Sequence, residues 1–238
     1  MSAVEVKNLV KNYGSIKAVK GISFNLEKGE IFGLIGPNGA GKTTTLRILS
    51  TLLTITKGSV KIMNFDLKEK PDEIRKIISY LPEDAGAYKN LSGRDYLKFI
   101  ANFFHSKKPN ELVATGVKIA DLGERIDDKV ESYSKGMKRR LLVGRALMNN
   151  PRLAILDEPT SGLDVNNAQE IRNIIKNITQ DGTTVLLSSH NMLEVEYLCD
   201  RIALIEKGLI VETGKPDVLM KKYNARNIEE VFTKVVKS

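Results

Sequence analysis

Eight residues, Gly36-Pro37-Asn38-Gly39-Ala40-Gly41-Lys42-Thr43, constrain the chain more than any other segment. They fit the pattern G-x-x-x-x-G-K-[ST] and fall between a short apolar run, residues 30–35 (EIFGLI), and a helical stretch over residues 43–52. Strand, glycine-rich loop and helix in that order make successive backbone N–H groups converge on phosphate oxygens, and the helix N-terminus adds a positive dipole end. In such a unit Lys42 bridges the β- and γ-phosphates of a nucleotide and the Thr43 hydroxyl ligates Mg²⁺. Chance alone produces the pattern in roughly one chain in a hundred of this length. A dinucleotide-binding reading fails, because Thr44 stands where the third glycine of G-x-G-x-x-G is required.

Around this unit the periodicity predicts two kinds of sheet. Residues 4–9 and 58–63 alternate polar with apolar, and 21–26 follows a Tyr-Gly turn, which predicts short antiparallel strands with one solvated face. Residues 84–133 read as a helical insert, with Tyr96, Phe99, Ile100, Phe103 and Phe104 at helical spacing and further periodicity over 112–120. The α/β pattern then resumes: a helix over 134–148, a buried strand at 153–156, a helix over 168–178 stopped near Gly182, and a buried strand at 183–187. Asn191 with Glu194 has capping-box spacing for a helix through Cys199, and Lys207-Gly208 separates two strands of a hairpin. In the tail, residues 227–238, Ile228, Val231, Phe232 and Val235 share one helical face, to be buried against the chain's own C-terminal strands or a partner. The expected fold class is α/β: a P-loop core with a parallel-strand sheet, an N-terminal antiparallel β lobe and a helical subdomain, within a unit spanning 1–226.

Composition bounds the rest. A chain of 238 residues with 42% hydrophobic and 28% charged residues is one large domain or a core with a smaller lobe. A lone cysteine, Cys199, excludes a disulfide scaffold and a Cys-rich zinc site and fits a reducing, cytoplasmic setting. No apolar stretch approaches the roughly 18 to 20 residues that span a bilayer. The net charge of +8 is spread out, and the short clusters Lys107 with Lys108, Lys138 to Arg140, and Lys221 with Lys222 read as solvated faces.

A second chemical signal is Leu153-Ala154-Ile155-Leu156-Asp157-Glu158, an apolar strand ending in two carboxylates. Such a pair alone reads as a solvated strand end. Beside a phosphate loop, Asp157 suits the Mg²⁺ shell and Glu158 suits orienting or deprotonating an attacking water.

Taken in order, these motifs resemble the ATP-binding cassette (ABC) ATPases, the nucleotide-binding subunits of ABC transporters, over residues 4 to about 222. Tyr13 in Asn12-Tyr13-Gly14 matches the aromatic that stacks on adenine, and Tyr80-Leu81-Pro82-Glu83 occupies the glutamine loop. Ser134-Lys135-Gly136-Met137 matches the signature motif, Ser161-Gly162-Leu163-Asp164 the D-loop, and His190 the switch histidine. Taken singly, Tyr13 also reads as a strand-end aromatic, Ser134 as a plain N-cap and His190 as a helix-entry histidine.

The resemblance implies two copies, or this chain with a close paralogue, sandwiching two MgATP molecules head to tail. Each site would join Tyr13, the loop from Gly36 to Thr44, Glu83, Asp157, Glu158 and His190 of one subunit to Ser134, Gly136 and Asp164 of the other. It also implies a separate membrane permease, placing the protein peripherally on the inner face of the cell membrane, with no nucleic-acid partner. The SKGM signature and the tail resemble exporters of the drug and lipid type, and the aromatics Tyr80, Tyr88, Tyr96, Phe99, Phe103 and Phe104 suggest a docking groove for a permease helix, whereas helical spacing alone would put most of them in a core. An ABC ATPase that moves no solute, a cluster-assembly scaffold or a ribosome- or DNA-associated factor, is the alternative. The sequence departs from the family at Glu83, where glutamine is usual, and at Lys135 and Met137 of the signature.

Overall fold

Two β-sheets of different character share a core along the strand that feeds the phosphate loop. The computed structural model describes residues 2–104 and 108–237; Lys107 and the Glu194 side chain, on which two expectations fell, lie outside the described residues. The first sheet is antiparallel, in the order β2 (Ile16–Glu27), β1 (Ser2–Tyr13), β4 (Lys57–Ile62), β5 (Phe65–Asp66). Strand β1 runs longer than the alternation predicts because its pattern is interrupted: the register shifts between Val6 and Leu9, with Asn8 at φ 48°. One inserted residue returns Leu9 to the buried face that Val4 and Val6 occupy.

The second sheet is ordered β10 (Leu209–Gly214), β9 (Arg201–Glu206), β3 (Ile31–Ile35), β8 (Thr184–Ser189), β7 (Leu153–Asp157), β6 (Ile78–Leu81). All neighbours pair in parallel except β10, which closes the predicted hairpin on β9. Strand β3 is buried on both faces. Phe32 and Leu34 pack toward the antiparallel sheet, α1 (Lys42–Leu49) and α2 (Pro71–Arg75), while Ile31 and Ile35 pack toward the helices opposite. Those helices are α3 (Gly93–Ala101), α4 (Pro109–Ala120), α5 (Lys135–Leu147) and α6 (Val165–Gln180), with two short 3-10 turns, Gly123–Asp127 and Val130–Ser132, between α4 and α5. Full coverage of both faces is what a continuously apolar strand requires. The α/β class with an antiparallel lobe and added helices is thus observed.

Helix α7 (Met192–Leu198) precedes β9, and α8 (Pro216–Lys222) and α9 (Ile228–Lys237) close the chain. The apolar stripe of the tail packs on its own chain: Ile228 and Val231 are fully buried, and the Ile228 N–H donates to Glu196 Oε1 at 2.6 Å. Arg139 corrects the solvated reading of residues 138–140. It is only 8% exposed and faces inward from α5. Among the described residues no helix is long and apolar enough to cross a membrane.

Candidate functional site

The parallel strands β3, β6, β7 and β8 deliver Gly36, Glu83, Asp157 with Glu158, and His190 to one edge of the sheet, the edge where open α/β sheets bind ligands. The loop from Gly36 to Thr43 leaves β3 there and is wedged between β2 and β9. A side chain at Gly36 would overlap the Ile205 carbonyl, and at Gly41, with φ 107°, a Cβ would meet the Ala18 carbonyl at 2.7 Å. Lys42 folds back into the loop, donating to the carbonyls of Gly36 at 2.7 Å and Pro37 at 3.2 Å. Residues 37–44 line a cleft of about 150 Å³ together with Ala18, Glu83 and Glu158.

Asp157 is buried at the end of β7 and receives three hydroxyl donors: Ser188 at 2.5 Å and Thr43 at 3.3 Å on Oδ1, and Tyr80 at 3.3 Å on Oδ2. Burial, and then the Asp157 charge, push the Tyr80 hydroxyl up to about 12, so it stays protonated and able to donate at neutral pH. Ser188 also accepts from the Glu158 N–H at 3.0 Å, so one hydroxyl fixes both acids.

Glu158 is the strained residue of the site, with φ at 48° in the left-handed region that glycine favours. That turn brings its carboxylate back over the loop. Oε1 lies 3.4 Å from the Lys42 ammonium as an ion pair without a hydrogen bond, and Oε2 meets His190 through Nδ1 at 2.8 Å and the backbone N–H at 3.3 Å. Lys42 and Glu158 are each 5% exposed, whereas the His190 side chain is 48% exposed on a second cleft lined by Ser161 and Leu163.

The other expected residues are distributed differently. The Glu83 carboxylate accepts from Ser161 Oγ at 3.4 Å and faces the loop cleft without contacting Thr43 or Asp157 among the described interactions. Tyr13 ends β1, 45% exposed, with Lys11 Nζ 5.2 Å from its ring centroid, and it does not line the loop cleft. Ser134 caps α5 by accepting from the Met137 N–H at 3.2 Å. Asp164 caps α6 by accepting from Asn167 at 3.0 Å, which holds its carboxyl below the usual range. A Cβ at Gly136 would overlap the Asn167 side chain, so these two helix starts are in contact with each other, and none of Ser134, Gly136 and Asp164 lines the loop cleft.

Sequence reasoning overlooked Ser188 and Arg139, and it named Tyr80 without its bond to Asp157. The polar pair Ser188-Ser189 closing an apolar strand was a usable signal. Arg139 is spaced three residues from Gly136 and from Leu142, both buried, and that spacing also marked it as inward-facing.

Thr43 and Asp157 set two hard oxygen donors side by side, and among the described residues no group of three or more His, Cys, Asp or Glu gathers into a metal cage. That donor set fits Mg²⁺, which is held by one or two protein oxygens with phosphates and water completing its shell.

The sequence family described as ABC transporter matches residues 19–161. The chain is 38% identical over 214 residues to the linearmycin resistance ATP-binding protein LnrL of Bacillus subtilis, covering 89% of this chain and 68% of that one. It is 33% identical over 234 residues to the Nod factor export ATP-binding protein I of Burkholderia orbicola, covering 98% of this chain and 77% of that one. A dimeric ATP-binding cassette in a post-hydrolysis state, bound to ADP and Pi, superposes with a TM-score of 0.78 at 27% identity, covering 89% of this chain and 98% of that one.

Proposed function

Because the chain belongs to the ABC transporter family, as one of its ATP-hydrolysing, ATP-binding subunits, we propose that it drives export of a small molecule through a separate membrane permease. Relatives named for drug resistance and for export favour transport over the cluster-assembly, ribosome or DNA reading. The observation that carries the export-motor reading within this chain is an apolar surface connected to the catalytic edge. Tyr88, Phe99 and Phe103 form an exposed edge-to-face series at 5.3 and 5.2 Å, and Phe104 and Ile100 continue into a groove whose wall includes Tyr80. Tyr80 in turn bonds Asp157, so a helix docked in that groove would press on the metal-side carboxylate. Tagged protein purified from detergent-solubilised membranes should bring down one integral-membrane protein in stoichiometric amount. Recovery with ribosomes or DNA and no membrane protein would refute the transporter reading.

In this reading Lys42 and the loop amides hold the triphosphate and Tyr13 stacks on the base. Thr43 and Asp157, with Glu83 facing the same cleft, would hold Mg²⁺, which supplies charge neutralisation at the phosphates. Glu158 takes the proton of the attacking water, and His190, with the proton on Nδ1, anchors Oε2 so that the other oxygen is aimed. Ser134, Gly136 and Asp164 do not line the cleft of their own loop, and we assign them to the nucleotide of a second subunit.

Glu83 distinguishes this chain from members with glutamine there. A carboxylate is a stronger ligand for Mg²⁺ than a neutral amide oxygen, and unneutralised it repels the γ-phosphate. Glu83→Gln is therefore expected to raise the half-saturating Mg²⁺ concentration at fixed ATP several-fold while leaving metal-free nucleotide binding intact. Identical Mg²⁺ titrations of the two proteins would remove Glu83 from the metal shell.

A further inference from the structure

The structure assigns Arg139 a role beyond packing: we infer that it is the positioning residue that locks α5, the loop after β6 and the catalytic strand end into one rigid unit. Its guanidinium reaches five main-chain carbonyls. Nε donates to Pro159 at 2.7 Å, Nη2 to Asp157 at 2.9 Å and Glu158 at 2.8 Å, and Nη1 to Pro82 at 3.3 Å and Glu83 at 3.2 Å. Three consecutive residues at the end of β7 and two in the loop after β6 are thus tied to the second turn of the helix that Ser134 caps.

The chemistry of the contact matters as much as its reach. Among the described residues no carboxylate pairs with Arg139. Its charge is satisfied by peptide dipoles, with Glu83 the largest favourable charge in its field, ahead of Asp157. Burial is the dominant influence and lowers its proton affinity, yet an arginine remains charged. A planar fork with five donors in fixed directions sets the relative positions of its acceptors, which a flexible ammonium with a single nitrogen does not. Glu158 holds a left-handed backbone that the surroundings must enforce, and Arg139 bonds its carbonyl directly. Displacement of Ser134 and Gly136 at the start of α5, or of the loop at Glu83, is thereby passed to the Glu158 carboxylate through one side chain.

This inference rests on Glu158 being the water-activating base, and the experiment separates the two. ATP binding by fluorescent nucleotide and steady-state hydrolysis are measured on the full chain for wild type, Glu158→Gln, Arg139→Lys and Arg139→Ala. Arg139→Lys should lower kcat by roughly 10²-fold, the scale of a sub-ångström-to-ångström misplacement, with ATP affinity changed by less than about threefold. Added methylguanidinium should restore kcat of Arg139→Ala by about tenfold or more, a rescue a lost packing contact would not show. Wild-type turnover in Arg139→Lys, or equal loss of affinity and kcat without rescue, overturns the positioning role while an inactive Glu158→Gln leaves the base assignment standing. Undiminished turnover in Glu158→Gln overturns the base assignment and this inference with it.

Discussion

Glu158→Gln is expected to bind MgATP as tightly as wild type and to hydrolyse it at least roughly 10² times more slowly, the usual consequence of removing a general base. The amide keeps the size of the carboxylate and can still accept from His190, so the contacts at 2.8 and 3.3 Å survive in kind. What it lacks is a place for the proton. The buried ion pair with Lys42 also goes, which leaves the ammonium with its two carbonyl partners and readier to meet phosphate. Nucleotide-dependent association should therefore persist: size-exclusion in MgATP should show a dimer that wild type populates only transiently. A monomeric elution together with near-normal phosphate release would mean that another group activates the water.

A mixture of two inactive variants should regain activity. Lys42→Ala removes the triphosphate contact, and Ser134→Arg places a bulky side chain at the start of α5, where the N-terminal dipole is suited to an anion. If Ser134 and Gly136 serve the partner's nucleotide, a heterodimer carries both lesions in one site and none in the other. Equal mixing then yields about a quarter of wild-type activity, since half the dimers are mixed and each has one working site of two. Loss of the Ser134 cap costs on the order of 1 kcal/mol, which leaves the variant folded. Mixed dimers isolated by two affinity tags and devoid of hydrolysis would refute sites shared between subunits.

The residues that announced themselves in the sequence did so through local spacing. The loop from Gly36 to Thr43 and the pair Asp157-Glu158 are contiguous, and their chemistry needs neighbours in the chain more than partners across it. The order of the sheet is another matter: β8 lies between β3 and β7, and nothing in three apolar strands of similar length states which pairs with which. Strand β6 was hidden because Ser79 and Tyr80 break its apolar run, and Tyr80 turns out to be there for Asp157. Arg139 was misread for a physical reason. A run of cations suggests solvent, and only the three-dimensional convergence of five carbonyls makes burial of one of them favourable. The tail's amphipathic stripe was legible, and strand β10 was among the expected covers, but helices α7 and α8, which also pack on it, were not foreseen, because amphipathicity specifies a face to be covered and leaves open what covers it.

The left-handed backbone at Glu158 sets two demands against each other at one position. Glycine or asparagine would occupy that conformation with less strain, by an amount on the order of 1 kcal/mol, and neither would take a proton from water. The carboxylate also neutralises the buried Lys42 ammonium and holds His190, so relief of backbone strain would be outweighed by an unpaired buried charge, and stability and the proposed chemistry both keep an acid at a position whose backbone suits glycine.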